Sequence, residues 1–321
     1  RAPKVGLGGR FALMSKETLL LVNNVLLVVV AGSVLLGTLY PLIIDALGLG
    51  KLSVGPPYFQ TVFVPLMAPL LFLIAVGPAA RWKQASAADL AHRLRFAGLL
   101  AVLAAAGLPF VFGEWTPLVG MGLLLAVWIV SAAIVEIRQR LKAGKPPLSF
   151  WGMHLAHIGV AAFVIGVTLV KGYETEQDVR MAPDDTVLIG GYTVRMLGVR
   201  ELTGPNYRSS MGDFELSRDG KVLRELHPEK RAYLASAMPM TEAAIDTNLL
   251  RDVYVSMGEP LDDGGSAGAW SVRVHYKPFV VWIWGGCLLM AFGGALAIAD
   301  RRYRLPVKLK NPSGEEVGGA A

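Results

Sequence analysis

The chain has 321 residues, of which 53% are hydrophobic and only 17% charged, and its mean hydropathy is +0.47. A soluble protein of this size needs more charge to cover its surface, so the composition excludes an ordinary soluble fold. The net charge of +6 is unevenly spread, and one cysteine, Cys287, lies in an apolar run, which excludes an intramolecular disulfide and a thiol metal cluster. The sequence opens at Arg1 with neither a methionine nor a signal-peptide pattern and reads as a fragment or a processed product.

A spanning helix needs roughly 20 apolar residues to cross a hydrocarbon core about 30 Å thick. Six stretches qualify in chain order: Thr18 to Ile44, Tyr58 to Val76, Phe96 to Phe112, Leu118 to Val135, Phe150 to Val170 and Pro278 to Ala299. Pro65 and Pro69 are expected to kink the second. Only Gly113 to Pro117 separates the third from the fourth, which predicts an antiparallel hairpin.

Lys and Arg collect in four places: Arg1 to Glu17, Arg81 to Arg95, Glu136 to Ser149, and the tail after Ala299. The short connections Asp45–Pro57 and Gly113–Pro117 hold only Lys51. If all six spans form, every basic cluster falls on one side, which predicts cytoplasmic ends. Each cluster abuts a span, so none reads as a nucleic-acid site.

Residues 171–277 then lie outside the cytoplasm, with 17 Asp and Glu against 13 Lys and Arg. Their pattern is mostly β. Phe214–Ser217 and Lys221–Leu226 flank Arg218-Asp219-Gly220, where Asp-Gly accepts the positive φ of a tight hairpin turn. Thr186 to Val199 reads as two strands turning at Gly190-Gly191. Val272, Val274 and Tyr276 alternate with Ser271, Arg273 and His275, as a half-buried strand requires. The expected fold is a polytopic α-helical membrane protein of about six transmembrane helices, with one β-rich extracytoplasmic domain between the last two. Its divisions are a membrane domain of five helices at 1–170, a β-rich periplasmic domain at 171–277, a sixth helix at 278–299 and a cytoplasmic basic tail at 300–321, disordered from Asn311.

His154 and His157 stand three apart in the fifth span and share a helix face. Gly152, Ala156, Gly159 and Gly166 would let another helix or a flat cofactor approach the backbone. An imidazole in the hydrocarbon region is costly without a partner, so each histidine is a candidate haem or metal ligand. The alternative is a histidine that donates one hydrogen bond to a neighbouring helix. His92 is expected in a solvated loop, His227 in a turn before Pro228, and His275 on the polar face of the last strand. Asn23 and Asn24 call for interhelical hydrogen bonds, Arg180 and Arg251 for exposed positions that could meet carboxylates, and Trp282 and Trp284 for an aromatic belt. No Gly-rich phosphate loop, HExxH, CxxC or nucleophile elbow is present, so ATP hydrolysis, metalloprotease and thiol-oxidoreductase activities have no support.

Taken together, several runs resemble the C-terminal half of CcmF, the haem lyase subunit of bacterial cytochrome c maturation. They are Ser15-Lys-Glu-Thr-Leu-Leu-Leu-Val-Asn-Asn, Leu36-Gly-Thr-Leu-Tyr-Pro, Val54-Gly-Pro-Pro-Tyr-Phe, Trp151-Gly-Met-His-Leu-Ala-His-Ile-Gly, Gly172-Tyr-Glu-Thr-Glu-Gln-Asp-Val-Arg-Met, Leu250-Arg-Asp-Val-Tyr-Val, Lys277-Pro-Phe-Val-Val-Trp-Ile-Trp-Gly-Gly and Asp300-Arg-Arg-Tyr-Arg.

The resemblance implies a bacterial inner-membrane component that supports thioether attachment of haem to apocytochrome c at the periplasmic face. It implies an internal haem b that relays electrons from quinol, with His157 as axial ligand of the iron and His154 ranked second. The other axial ligand belongs to the family's N-terminal half, as do a tryptophan-rich motif and two external histidines. The implied partners are a CcmE-type haem chaperone, a CcmH-type subunit that presents apocytochrome, haem itself and membrane lipid. No catalytic residue is assigned here, and this half is not expected to be active alone. The alternatives are a non-catalytic assembly scaffold and, less favoured, a haem or reductant transporter.

Overall fold

The computed structural model describes residues 12, 14–80, 82, 86–235, 238–261 and 268–300. The basic positions Arg1, Lys4, Arg10, Arg81 and Lys83, and the tail from Arg301, expected to be disordered from Asn311, lie outside the described residues.

Helix α1 (Lys16–Ala46) starts where the Ser15 hydroxyl oxygen accepts the Thr18 N–H at 3.2 Å, with Glu17 in the first turn to meet the positive end of the helix dipole. Gly55 precedes α2 (Pro56–Ala79), where proline at the first position costs no hydrogen bond, and the helix then continues through Pro65, Pro69 and Pro78. The Tyr58 hydroxyl of α2 donates to the Ser33 carbonyl of α1 at 3.0 Å.

Helix α3 (Ala87–Gly107) begins well before the expected Phe96, since Asp89 in its first turn and good helix formers carry it past the apolar stretch. It ends ahead of Pro109, which opens a single turn, α4 (Pro109–Phe112). His92 is therefore an exposed helical residue and not part of a loop. Leu90, Leu94, Ala97, Ala101 and Ala105 form the buried stripe of α3.

After Pro117 comes α5 (Pro117–Ala143), with Arg140 and Lys142 in its last turn. Arg93 donates to Gln139, and the Ser131 hydroxyl donates to the Ala97 carbonyl at 3.3 Å. Helices α3 and α5 therefore run antiparallel, the hairpin expected from their short connection. The Trp128 indole donates to the Phe72 carbonyl at 3.2 Å and stacks on the Phe72 ring, tying α5 to α2.

Among the described residues, helix α6 (Leu148–Tyr173) leads into ten strands, and α7 (Val280–Ile298) follows them. Six helices among these residues are long and apolar enough to cross a membrane: Lys16–Ala46, Pro57–Ala79, Ala87–Phe112, Pro117–Ala143, Leu148–Tyr173 and Val280–Ile298.

The strands are β1 (Thr175–Met181), β2 (Thr186–Ile189), β3 (Tyr192–Thr203), β4 (Tyr207–Arg218), β5 (Lys221–Leu226), β6 (Glu229–Tyr233), β7 (Met240–Glu242), β8 (Ala244–Thr247), β9 (Arg251–Pro260) and β10 (Trp270–Pro278). They form one antiparallel sheet ordered β1-β10-β9-β8 and a second ordered β2-β3-β4-β6-β7, with β5 also paired to β4. The turn glycines act as expected. Asp219 and Gly220 adopt φ of 52° and 75° between Arg218 and Lys221, and Gly190 and Gly191 adopt 55° and 78° between Ile189 and Tyr192. Inward residues of the two sheets share one core: Val194, Met196, Phe214, Leu216, Val253, Val255, Val272 and Val274 are each 0% exposed. The alternation in β10 arises from this core, because Val272 and Val274 enter it while Arg273 stays in water beside Asp178.

The chain gathers into two compact units, one of Arg1–Gly107, Met121–Ala162 and Gly286–Ala321, the other of Leu108–Gly120 and Phe163–Gly285.

Candidate functional site

The glycines of α6 face a helix. In the first unit, a Cβ on Gly152 would lie 2.5 Å from the Gly293 carbonyl oxygen, and one on Gly159 would lie 2.7 Å from the Met290 nitrogen. In the second, a Cβ on Gly166 would lie 2.8 Å from the Ile283 nitrogen. The recurrence of small residues every second turn lets α7 run antiparallel against the α6 backbone. At the end of this pair the Asp300 carboxylate accepts the Ser149 N–H at 2.8 Å, capping the N-terminus of α6. Of the two occupants the small residues could admit, the structure places a helix there.

His154 and His157 follow Gly152 by two and five residues, which turns them to the opposite side of α6. His154 is 2% exposed, and neither ring nitrogen meets a hydrogen-bond partner. The Phe150 ring packs on it edge-on, with ring centres 4.3 Å apart. His157 is half-buried, its ring centre 6.3 Å from that of His154. Both line a cavity of about 10 Å³ whose wall also includes Glu136 of α5 together with Ile74 and Pro78 of α2.

Sequence reasoning assigned Glu136 to a basic connection, one residue past the fourth span. Because α5 continues to Ala143, Glu136 instead lies on a helix that lines the same cavity as the two histidines. The available signal was a lone acid within a basic stretch at the end of an apolar helix.

The other candidates separate. Arg251, expected to be exposed, is 4% exposed: it donates to Asp246 and lies 4.4 Å over the Tyr192 ring. The reason is its register. Arg251 shares the core face of β9 with Val253 and Val255 and closes one end of the sandwich. Arg180 is exposed on β1. Asn24 is exposed and Asn23 half-buried, so the described residues do not bury this amide pair. Trp282 donates from its indole to the Leu249 carbonyl at 3.1 Å, while Trp284 is 69% exposed.

In the β domain His227 Nδ1 lies 2.9 Å from Asp213, whose carboxylate also accepts two hydrogen bonds from Arg200. The Arg200 guanidinium holds the Asp213 carboxyl below the usual carboxylate range. Burial lowers the His275 imidazole, and Glu176 at 3.5 Å opposes that shift only in part. His227 lies in the connection between β5 and β6 and His275 on β10, each beside a different carboxylate. Among the described residues, no group of three or more His, Cys, Asp or Glu side chains could hold a metal ion.

Comparison with known proteins places this geometry in a family. A family model described as the CcmF C-terminal beta-sandwich matches residues 172–278. The cytochrome c-type biogenesis protein CcmF of Pseudomonas aeruginosa is 49% identical over 97% of this chain, which covers 48% of that protein. CcmF of Escherichia coli is 42% identical over 95% of this chain and 47% of its own length. This chain is similar to CcmF along nearly all of its own length. It spans about half the length of the curated relatives it matches. A solved structure described as cytochrome c heme lyase CcmF superposes with a TM-score of 0.72 at 22% identity, over 90% of this chain and 46% of that one, and so shares the fold. The six apolar helices and the bacterial CcmF relatives make this a multi-pass membrane protein.

Haem is the group the family implies, and the residues bear on where it could sit. A cavity of about 10 Å³ holds roughly one water-sized sphere and no porphyrin. The glycine face is filled by α7, and His154 is enclosed. Of the two histidines, only the half-buried His157 keeps part of its surface open, so it is the residue that would hold such a group.

Proposed function

We propose that this chain is the half of a bacterial haem lyase that carries one axial ligand, His157, of an internal haem b. The observation that carries this reading is the placement of His157: an imidazole in a membrane helix, turned away from the glycine-packed face and still partly open. The second axial ligand comes from the part of the family's length that this chain does not cover. His154, closed in by Phe150, is the lesser candidate for the same role.

When bound, haem b supplies a one-electron carrier, drawn on to pass electrons from quinol. This chain's residues would bind and orient it: His157 would offer a neutral ring nitrogen, and the packing of α7 on the glycines fixes the rotation of α6 that turns the ring away from them. The reaction served is thioether attachment of haem to apocytochrome c, with haem delivered by a CcmE-type chaperone and the apocytochrome presented by a CcmH-type subunit. Protein thiols come from the substrate, since Cys287 is the sole cysteine here.

The inner membrane is the proposed location, with the basic ends of α3 and α5 cytoplasmic and the strands Thr175–Pro278 periplasmic. The positive charge at Arg93, Arg95, Arg138, Arg140 and Lys142 supports that orientation. A scaffold role for the strands also has support, because the apolar side chains of Leu234, Met238 and Met240 are 78%, 76% and 54% exposed.

The test uses the full-length parent purified from membranes. A b-type absorbance that is lost in His157→Ala and retained in His154→Ala supports the assignment. Its absence from the unaltered protein, or its survival in His157→Ala, removes it.

A further inference from the structure

The inner side of the two histidines presents a separate problem in hydrogen bonding. A buried imidazole always has at least one donor or acceptor to satisfy, and leaving it unpaired is costly. His154 is 2% exposed, yet neither of its nitrogens meets a protein partner. It lines the same cavity as Glu136 and His157.

Part of the wall of that cavity is supplied by α2, and there a proline removes a helix donor. Pro78 has no N–H, so the carbonyl of Ile74, four residues earlier in the helix, loses its usual donor. Both Ile74 and Pro78 line the cavity. Its volume, about 10 Å³, matches the space for one water molecule. A water there has what it needs: it can accept from an imidazole N–H and donate to a carboxylate and to a backbone carbonyl, within the two to four partners that buried waters usually find.

We propose that this cavity binds a single buried water that joins the His154 imidazole to Glu136 of α5 and to the proline-freed end of α2. Three helices are thereby tied at the level of His157. Glu136 and His154 become positioning residues for the His157 ring, a consequence that rests on the haem-ligand reading. The water site does not rest on it.

The experiment is a thermal-melting cycle on the full-length protein in detergent, using His154→Leu, Glu136→Leu and the double variant, with a density map of the unaltered protein at a resolution that shows waters. Each single change is expected to lower the melting temperature by roughly 2–4 °C, and the double change should lower it no further than the larger single effect. A density peak within hydrogen-bonding reach of His154 and Glu136 is expected in the cavity. A rise in melting temperature for His154→Leu, fully additive losses, or a map without the peak overturns the site. Should His154→Leu fail to accumulate, the map alone decides.

The positioning role is read from the b-type spectrum, which should shift in Glu136→Leu and return in Glu136→Gln, whose amide can still hydrogen-bond the water. No shift overturns that role. Absence of b-type absorbance from the unaltered protein defeats the haem reading, while the melting cycle and the map still judge the water.

Discussion

The β sandwich and helix α1 are both rich in aliphatic residues, yet they use them in opposite ways. In the sandwich, Val194, Met196, Phe214 and Leu216 of one sheet and Val253, Val255, Val272 and Val274 of the other bury each other completely. In α1 only 6% of the most apolar window is buried, and Leu21, Val28, Leu36 and Leu42 are all more than half exposed. Strand alternation writes a single inward face whose partner is another strand of the same chain. A helix that is apolar all round is complete only in hydrocarbon or against further helices. Hydropathy therefore specifies packing in one region and only environment in the other.

That contrast can be broken most directly by truncating one side chain in each region. Phe214→Ala should cost about 3–5 kcal/mol of β-domain stability, since the ring has no route to solvent. Leu21→Ala on α1 should cost under about 0.5 kcal/mol. Denaturant unfolding of the purified chain, followed by the domain's tryptophan signal, measures both. Equal losses would mean that α1 is packed as tightly as the sandwich.

A smaller effect sharpens the comparison where membrane helices do pack. Gly159→Ala adds a methyl group against the backbone of α7 and should destabilise the α6–α7 pair by about 1–3 kcal/mol. Gly285→Ala, where a Cβ meets nothing within 4 Å, should be neutral. Melting of the detergent-solubilised protein distinguishes the two.

The smallest effect is one of pH. Burial lowers the folded His275 below the ordinary histidine value, so the unfolded chain takes up its proton first as pH falls. The associated stability is present above that ordinary value and is lost as pH drops through the folded one. His275→Gln should flatten this part of the stability profile in urea titrations between about pH 7 and pH 5. An unchanged slope would remove His275 as its source.

Local chemistry explains what could be read in advance. The Asp219-Gly220 and Gly190-Gly191 turns need positive φ, a demand that the residues themselves announce. The spans follow from length and apolarity, although charge near the ends misleads: α3 starts at Ala87 and α5 reaches Ala143, because a helix can outlast its membrane segment. The histidine face of α6 was visible as spacing. Its cavity was not, because Glu136, Ile74 and Pro78 arrive from other helices. Arg251 was misplaced for a related reason. Its charge suggested solvent, whereas its register on β9 set it beneath Tyr192 beside Asp246.

By itself the sequence determined six membrane-length helices, a β-rich domain between the last two, its tight turns and the likeness to CcmF, because each follows from neighbouring residues or from their order along the chain. Tertiary structure decided which side of α6 belongs to α7, which imidazole is enclosed and which stays half-buried, and that Glu136 lines their cavity. Those outcomes depend on helix rotation and close contact between distant segments, which no local pattern encodes.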